Sequence, residues 1–462
     1  MVDNSVNNRA EIEPKINYYI IGVIFAILSG IRMPFLPEFQ LLLIIWCIFH
    51  NKGINFSVIL LLVTIFCTHH YVVPDHVLRF NSSEYPSIYT KAYGPIKLLD
   101  ILTLILFLSA IPYFVKRNIL KIFYIKGIPV YYLIFSWIGL FFINSQQFAD
   151  HQALFIIRSY LLFLSIFLFT LNLNKTEYEY LGKLAIFCWT IKMVLAIIIP
   201  HHNPLYRSIL GLNGIIFFAG DEYLTIPFYM VMLAMIKGAY FNWRKALKIV
   251  FLILFLALIA QRKGALPVLI GLLLIIWINA KRIKILGILL KLYFAFSTVF
   301  IFLFLYNISD IVHDPLIILA FDEYSNFAHV AIDSLENESK LNPLGFIFGI
   351  SPFGKYEIIN LPFYMDHLMS FGEEVGKIYR YQFWSFPYER CILNIGVLGF
   401  VITIIYRVLA IKRNILHCFL IISCIPVCYY FNMTPIYAFA LGIIFSFLYN
   451  YQNGFKKNII LQ

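Results

Sequence analysis

A chain of 462 residues that is 61% apolar and only 13% charged, with a mean hydropathy of +0.81, falls far from the roughly 45–50% apolar and about 25% charged composition of a water-soluble domain. That composition excludes a soluble globular protein, and with repeated apolar runs joined by short polar segments it predicts a polytopic, all-α transmembrane helical bundle. The formal charge of +12 is scattered over short joints between those runs, so it points to membrane topology and not to nucleic acid.

In chain order, Met1 to Pro14 is polar and mixed in charge, without the basic start and short apolar region of a cleaved signal, so the first helix is expected to stay in the mature protein. A spanning helix needs about 20 mostly apolar residues. By that measure the spans fall near 16–36, 39–50, 54–71, 96–114, 128–144, 154–171, 183–200, 209–236, 247–261, 265–280, 285–306, 390–410, 414–431 and 433–450, which is about 12–14 crossings. The run at 39–50 is the weakest and reads either as a short span or as half of a re-entrant pair. No internal repeat, heptad pattern or low-complexity linker interrupts the series. The seven cysteines lie in or beside apolar runs with no CxxC pair, which suggests neither a disulfide framework nor a zinc site.

Basic residues beside spans are retained on the cytoplasmic side. Lys116, Arg117, Lys121 and Lys126 fill one joint; Lys237, Arg244, Lys245 and Lys248 fill another; Lys281, Arg282 and Lys284 a third; Lys412 and Arg413 a fourth; Lys456 and Lys457 lie near the C-terminus. These joints alternate with sparse ones, so both termini are expected in the cytoplasm. The chain then divides into N-terminal helices over 1–306, one large extracytoplasmic loop over 307–389, and C-terminal helices over 390–462. The loop and its boundary carry twelve of the 24 acidic residues, from Asp310 to Glu389, in agreement with an outside location. Phe346, Phe348, Phe353, Phe363, Phe371 and Trp384 give it apolar surface to pack, and Pro343, Gly345, Gly349, Pro352, Gly354 and Pro362 predict turns joining short helices.

Cations on the outer side break the topology rule and are therefore informative. Arg158 lies about one turn inside the outer end of its span, Arg207 lies in the outer joint, and Arg262 and Lys263 lie at the next outer turn. A charge within hydrocarbon costs roughly 2.5–3.5 kcal/mol, so such groups face a cavity or a partner unless they snorkel to lipid phosphate. Either use is open to Arg158. Glycines 211, 214 and 220 after Arg207, and Gly264 and Pro267 after Arg262, mark broken helices of the kind that line cavities. The guanidinium fork binds phosphate oxygens two at a time, so this set suits a diphosphate. Lys192 reads as a pairing or snorkelling residue. His201, His202, Asp221 and Glu222 match no ligand spacing, so no metal is expected. Of the outer acid or base candidates Asp366, His367, Glu373, Glu374 and Glu389, the last sits beside Arg390 where the loop returns to the membrane. Partial burial beside a cation both tunes a catalytic carboxylate and forms an ordinary ion pair.

Several segments together resemble the bacterial O-antigen polymerase and ligase superfamily. Tyr206 to Gly214 is similar to that family's outer Arg followed by a Gly-containing segment. Ala260-Gln261-Arg262-Lys263-Gly264 is similar to its S-R-x-a-l helix opening, with Gln261 in the Ser place. Asn342 to Gly349 resembles the P-L-x-G-x-G stretch of its large loop, and Tyr388 to Gly399 resembles the segment ending E-x-G-x-x-G that opens the next helix. The likeness runs from about Arg158 to the C-terminus. Ser385-Phe386 stands where ligases carry His-Asn, which favours polymerisation over ligation.

The resemblance implies a membrane glycosyltransferase of the GT-C type in the bacterial inner membrane. Its expected reaction is polymerisation of undecaprenyl-diphosphate-linked repeat units into O-antigen or a related surface polysaccharide on the periplasmic face. It implies Arg207 and Arg262 on the diphosphate, Arg158 and Lys263 in support, and Glu389 orienting or deprotonating the acceptor hydroxyl. Arg390, Trp384 and Tyr388 would contact phosphate or sugar. It further implies no cofactor, membrane lipids as surroundings, and a chain-length regulator and a flippase as partners. The alternatives are an O-antigen ligase and a polysaccharide transporter; a transporter is expected to show two related halves, which this sequence lacks.

Overall fold

The computed structural model describes residues 17–68, 87–89, 91–94, 96–116, 150–198, 207–209, 212–214, 343–349, 356–357, 372–374, 377–380, 396–398 and 435–452, and the single positions 288, 292, 333, 336, 337, 340 and 401. Helices dominate this set: α1 Asn17–Gly30, α2 Leu36–His50, α3 Phe56–Thr68, α4 Leu98–Lys116, α5 Asp150–Thr170, α6 Lys175–Ile198, the short α7 Pro343–Phe348, and α8 Pro435–Gln452. Among the described residues no helix is both long and apolar enough to cross a membrane.

The run at 16–36 is not one helix. Helix α1 stops at Gly30, where Met33 N–H donates to Leu28 O and Arg32 N–H to Ser29 O, with Arg32 in the left-handed region at φ 59°. These are the paired bonds of a Schellman cap, which satisfy carbonyls that a helix end leaves over. Pro37 then suits the first turn of α2, where a missing N–H is no loss. The same cap recurs at the other end: Gly53 N–H donates to Ile48 O and Lys52 N–H to Phe49 O, with Lys52 at φ 53°. Both ends of α2 are thus closed by local geometry, and its length is set at 15 residues. Asn55 then starts α3, its Oδ1 accepting the Val58 N–H at 3.1 Å.

Helix α3 is buried from Val58 to Thr68 and packs on α1, α2 and α6. A helix apolar on every side belongs at a centre, and that is where α3 lies. Around it, α1 packs on α6, and α5 packs on both α4 and α8, the last being the most extensive helix pair. Small residues allow the close approaches. A Cβ on Gly22 of α1 would lie 2.6 Å from Cys188 Sγ of α6, and one on Gly442 of α8 would lie 2.8 Å from Ile166 Cγ2 of α5. Stacked Phe66 and Phe439 rings, 4.2 Å apart, join α3 to α8.

Contacts between helix ends give their relative directions. Arg158 near the start of α5 meets Asp100 near the start of α4, and Phe169 near its end meets Tyr113 near the end of α4. Thr170 at the end of α5 meets Ser446 late in α8. Helices α4, α5 and α8 therefore run parallel. Helix α6 follows α5 after a tight joint closed by a reciprocal cap, in which Glu177 N–H donates to Asn174 Oδ1 and Asn174 N–H to Glu177 Oε2.

Three short antiparallel sheets complete the described chain: β1 Ala92–Tyr93 with β2 Ile96–Lys97, β3 Arg207–Ile209 with β4 Leu212–Gly214, and β5 Tyr356–Glu357, β6 Gly372–Glu374 and β7 Lys377–Arg380 in the order β5-β7-β6. Two of these depart from expectation. Ile209 and Leu212–Gly214 lie in paired strands, with Ile209 in register with Leu212 and Arg207 with Gly214, and not in the start of a helix. In the large loop the chain forms strands beside one short helix, where only short helices and turns were expected.

The buried core is mainly apolar, but apolar side chains also line exposed faces. Ile20, Ile24, Ile27 and Ile31 of α1 and its joint form an exposed stripe at spacings of 4, 3 and 4; Leu104, Leu108 and Ile111 do the same on α4. The buried set meanwhile includes Gln40, Thr64, Thr68, Thr103, Ser159, Ser165, Thr170, Lys192, Ser446 and Asn450. Five hydroxyls among these, Thr64, Thr68, Ser165, Thr170 and Ser446, donate to a carbonyl three or four residues back in their own helix.

Candidate functional site

Charged side chains gather at the end of the bundle where α2, α4 and α5 begin. Asp100 lies in the first turn of α4, where a carboxylate meets the unpaired N–H groups and the favourable end of the helix dipole. One of its oxygens accepts the Lys97 N–H at 2.8 Å, and the other accepts Arg158 Nη1 from α5, also at 2.8 Å. The Arg158 side chain is only 10% exposed while that of Asp100 is 37% exposed, so the pair is dry on one side and wet on the other. Lys97 is close enough to feel the charge of both partners. Two cations and one carboxylate leave a net positive charge at this helix end.

Beside it stands a second cluster. Glu38, in the first turn of α2, receives Lys91 Nζ at 3.2 Å and the hydroxyl of Tyr93 on the same oxygen. Lys91 Nζ also donates to Pro34 O at 3.4 Å and lies 5.8 Å from the Phe35 ring centre. The hydrogen bond to Glu38 pushes the Tyr93 phenol above its ordinary pKa, because the carboxylate favours the form that still holds the proton. Sequence reasoning missed Glu38, Lys91, Tyr93, Lys97 and Asp100. A Lys-x-x-Asp spacing at the start of an apolar run hints at a helix cap, but no local signal pairs Asp100 with a residue 58 positions away.

Of the residues expected in the site, Arg158 is therefore a partly buried ion-pair partner between α4 and α5 and not a cation reaching for lipid. Arg207 is the first residue of β3, at the open end of the hairpin and in register with Gly214. Glu373 and Glu374 lie in edge strand β6, in register with Ile378 and Lys377 of β7. Arg262, Lys263, Trp384, Tyr388, Glu389 and Arg390 lie outside the described residues, as do His201, His202, Asp221, Glu222, Asp366 and His367. Lys192 is buried in α6. Among the described residues no group of three or more His, Cys, Asp or Glu is placed to hold a metal ion.

The structure does join two segments that are far apart in sequence. Helix α7 ends as Gly349 N–H donates to Gly345 O at 2.7 Å, with Gly349 at φ 83°, a left-handed closure that glycine allows without strain. Against this closure lies Gly396, itself at φ 67°. A Cβ there would fall on Ile347 O and Gly349 N, so the two backbones touch and no other residue fits. Pro343–Gly349 of the large loop is thus seated on the segment that follows Glu389 and Arg390 in sequence. Set against known proteins, the chain matches no protein family, no curated protein and no solved structure.

Proposed function

We propose that this chain is a multi-pass glycosyltransferase of the bacterial inner membrane, with both termini cytoplasmic, that polymerises polyprenyl-diphosphate-linked oligosaccharide repeats on the periplasmic face. The observation that carries this reading is the backbone contact between Gly396 and Ile347–Gly349. The two segments that resemble the O-antigen polymerase loop and the helix opening after it lie together, as a site built from both would require. The exposed apolar stripes on α1, α2 and α4, beside polar side chains buried between helices, support the membrane setting.

In this reaction the non-reducing-end hydroxyl of one lipid-linked unit attacks the anomeric carbon of the growing chain. The bond from that carbon to the diphosphate oxygen breaks, and polyprenyl diphosphate leaves with the negative charge. Glu389 takes or orients the hydroxyl proton. Arg207 and Arg262 neutralise the charge that develops on the leaving diphosphate, which is the larger task in a water-poor cavity. Arg158 acts in support through its pair with Asp100, and Lys263, Arg390, Trp384 and Tyr388 contact phosphate or sugar.

The test is the surface-polysaccharide banding pattern of a strain lacking this gene, complemented with wild type, Arg207→Ala, Arg262→Ala or Glu389→Ala at matched expression. The expected deletion phenotype is a single repeat unit without a ladder, restored by wild type alone. Long polymer left on its carrier lipid would identify a ligase instead, and an unchanged ladder in every strain would refute the assignment.

A further inference from the structure

Helix α2 has an exposed apolar face with a bounded length. Phe35, Phe39, Leu42, Trp46 and Phe49 recur at spacings of 4, 3, 4 and 3, each at least 56% exposed, so they form one straight ridge. Both ends of the ridge carry polar or charged side chains. Arg32, Lys91 and Glu38 stand at one end, and His50 and Lys52 at the other. Because the caps set α2 at 15 residues, a rise of 1.5 Å per residue makes it about 22 Å long. A typical hydrocarbon layer is about 30 Å thick, and α4 with its 19 residues, about 28 Å, comes close to matching it.

A helix that is too long for its bilayer can tilt, but one that is too short cannot lengthen. Its flanking charges must snorkel outward or the lipid must thin. Snorkelling is restricted at the first end, because Lys91 is tied to Glu38 and to Pro34 O and Glu38 is tied to Tyr93. At the other end the backbone cap at Lys52 ends the helix, and the His50 ring is held by stacking on Trp46 at 5.1 Å. We propose that the aromatic face of α2 is a docking surface for bilayer lipid and that it holds the hydrocarbon layer about 6 Å thinner there than beside α4. This inference rests on the membrane setting proposed above but not on the enzymatic reaction.

Trp46 is a built-in reporter, since an exposed indole in contact with lipid is quenched by bromine on the acyl chains. The protein with Trp46 as its sole tryptophan, the other five of its six replaced by Phe, is reconstituted into vesicles of phosphatidylcholine with short, medium or long brominated chains. A second variant lacks all native tryptophans and carries Leu104→Trp on the exposed stripe of α4. If multiple replacement unfolds the chain, the difference between native protein and Trp46→Phe reports the same quantity. The expected result is a preference for short over long chains about threefold greater at Trp46 than at position 104. Equal preferences at both positions would overturn the inference. Quenching at position 104 but none at Trp46 would also overturn it, showing that protein, such as a second copy of this chain, covers the ridge. Quenching at neither position would refute the membrane setting itself.

Discussion

Replacing Asn450 by Leu removes the amide that ties α8 to the end of α5. Asn450 Nδ2 faces three acceptors: Leu171 O at 3.1 Å, Leu173 O at 3.4 Å and the Tyr178 hydroxyl at 3.2 Å. The two carbonyls belong to the helix end and the joint after it, where such groups are left over by the helix itself. The surrounding site is buried and otherwise well bonded. Tyr178 donates to Thr170 O at 2.5 Å or to Ser446 Oγ at 2.9 Å, and Thr170 and Ser446 hydroxyls lie 2.6 Å apart. The amide has two N–H groups to share among these acceptors, and at about 0.6 kcal/mol each, the average measured between membrane helices, they come to about 1 kcal/mol. An unsatisfied buried carbonyl adds a penalty in the range of about 1–3 kcal/mol. The expected loss is therefore about 2–3 kcal/mol. Tyr178→Phe keeps the edge contact with Phe447 at 5.3 Å and leaves Asn450 two carbonyl partners, so it should lose about 1 kcal/mol or less. Reversible unfolding of both single variants and the double variant in mixed micelles measures these values, and the double variant should lose less than the sum. An Asn450→Leu protein as stable as wild type would refute the view that this network closes the bundle end.

Other outcomes follow from single contacts. Asp100→Ala leaves the Arg158 guanidinium, 10% exposed, without its carboxylate and should destabilise by about 1–2 kcal/mol, below the figure for a fully buried pair because Asp100 is 37% exposed. Adding Arg158→Leu should recover part of that loss in the same unfolding assay. Gly22→Ala places a methyl 2.6 Å from Cys188 Sγ and should lose about 1–3 kcal/mol, with Cys188→Ala restoring most of it by removing the clashing atom. Tyr93 holds its proton more tightly when folded, so the stability tied to its bond with Glu38 is present below the ordinary phenol pKa and is lost as pH rises through the raised value. The phenolate absorbance that disappears in Tyr93→Phe should titrate above the ordinary tyrosine range, and Glu38→Gln should bring it back down.

Local chemistry in the sequence was enough to place most helices. Apolar runs set the bodies of α3 and α6, but the caps went unread: Asn55 starts α3, and the Asn174–Glu177 capping box starts α6 at Lys175, well before the span expected from 183. The early part of α6, with Lys175, Glu177, Glu179 and Lys183, is too polar to be found by an apolar run. Other local signals were misread. Gly214 after Arg207 reads in sequence as part of a broken helix, and only strand pairing with Arg207 shows it to be in a strand. The break at Gly30 was hidden because Arg32 and Lys52 close helices in a left-handed geometry usually given to glycine. Tertiary structure alone decided which charges meet: Asp100 and Arg158 are 58 residues apart, and Tyr178 and Asn450 are 272 residues apart. It also decided that Gly396 lies on the closure of α7. The residue types advertise a capacity for such contacts, but the partner is chosen by the packing of small residues at Gly22 and Gly442, which determines which helices come close enough to touch.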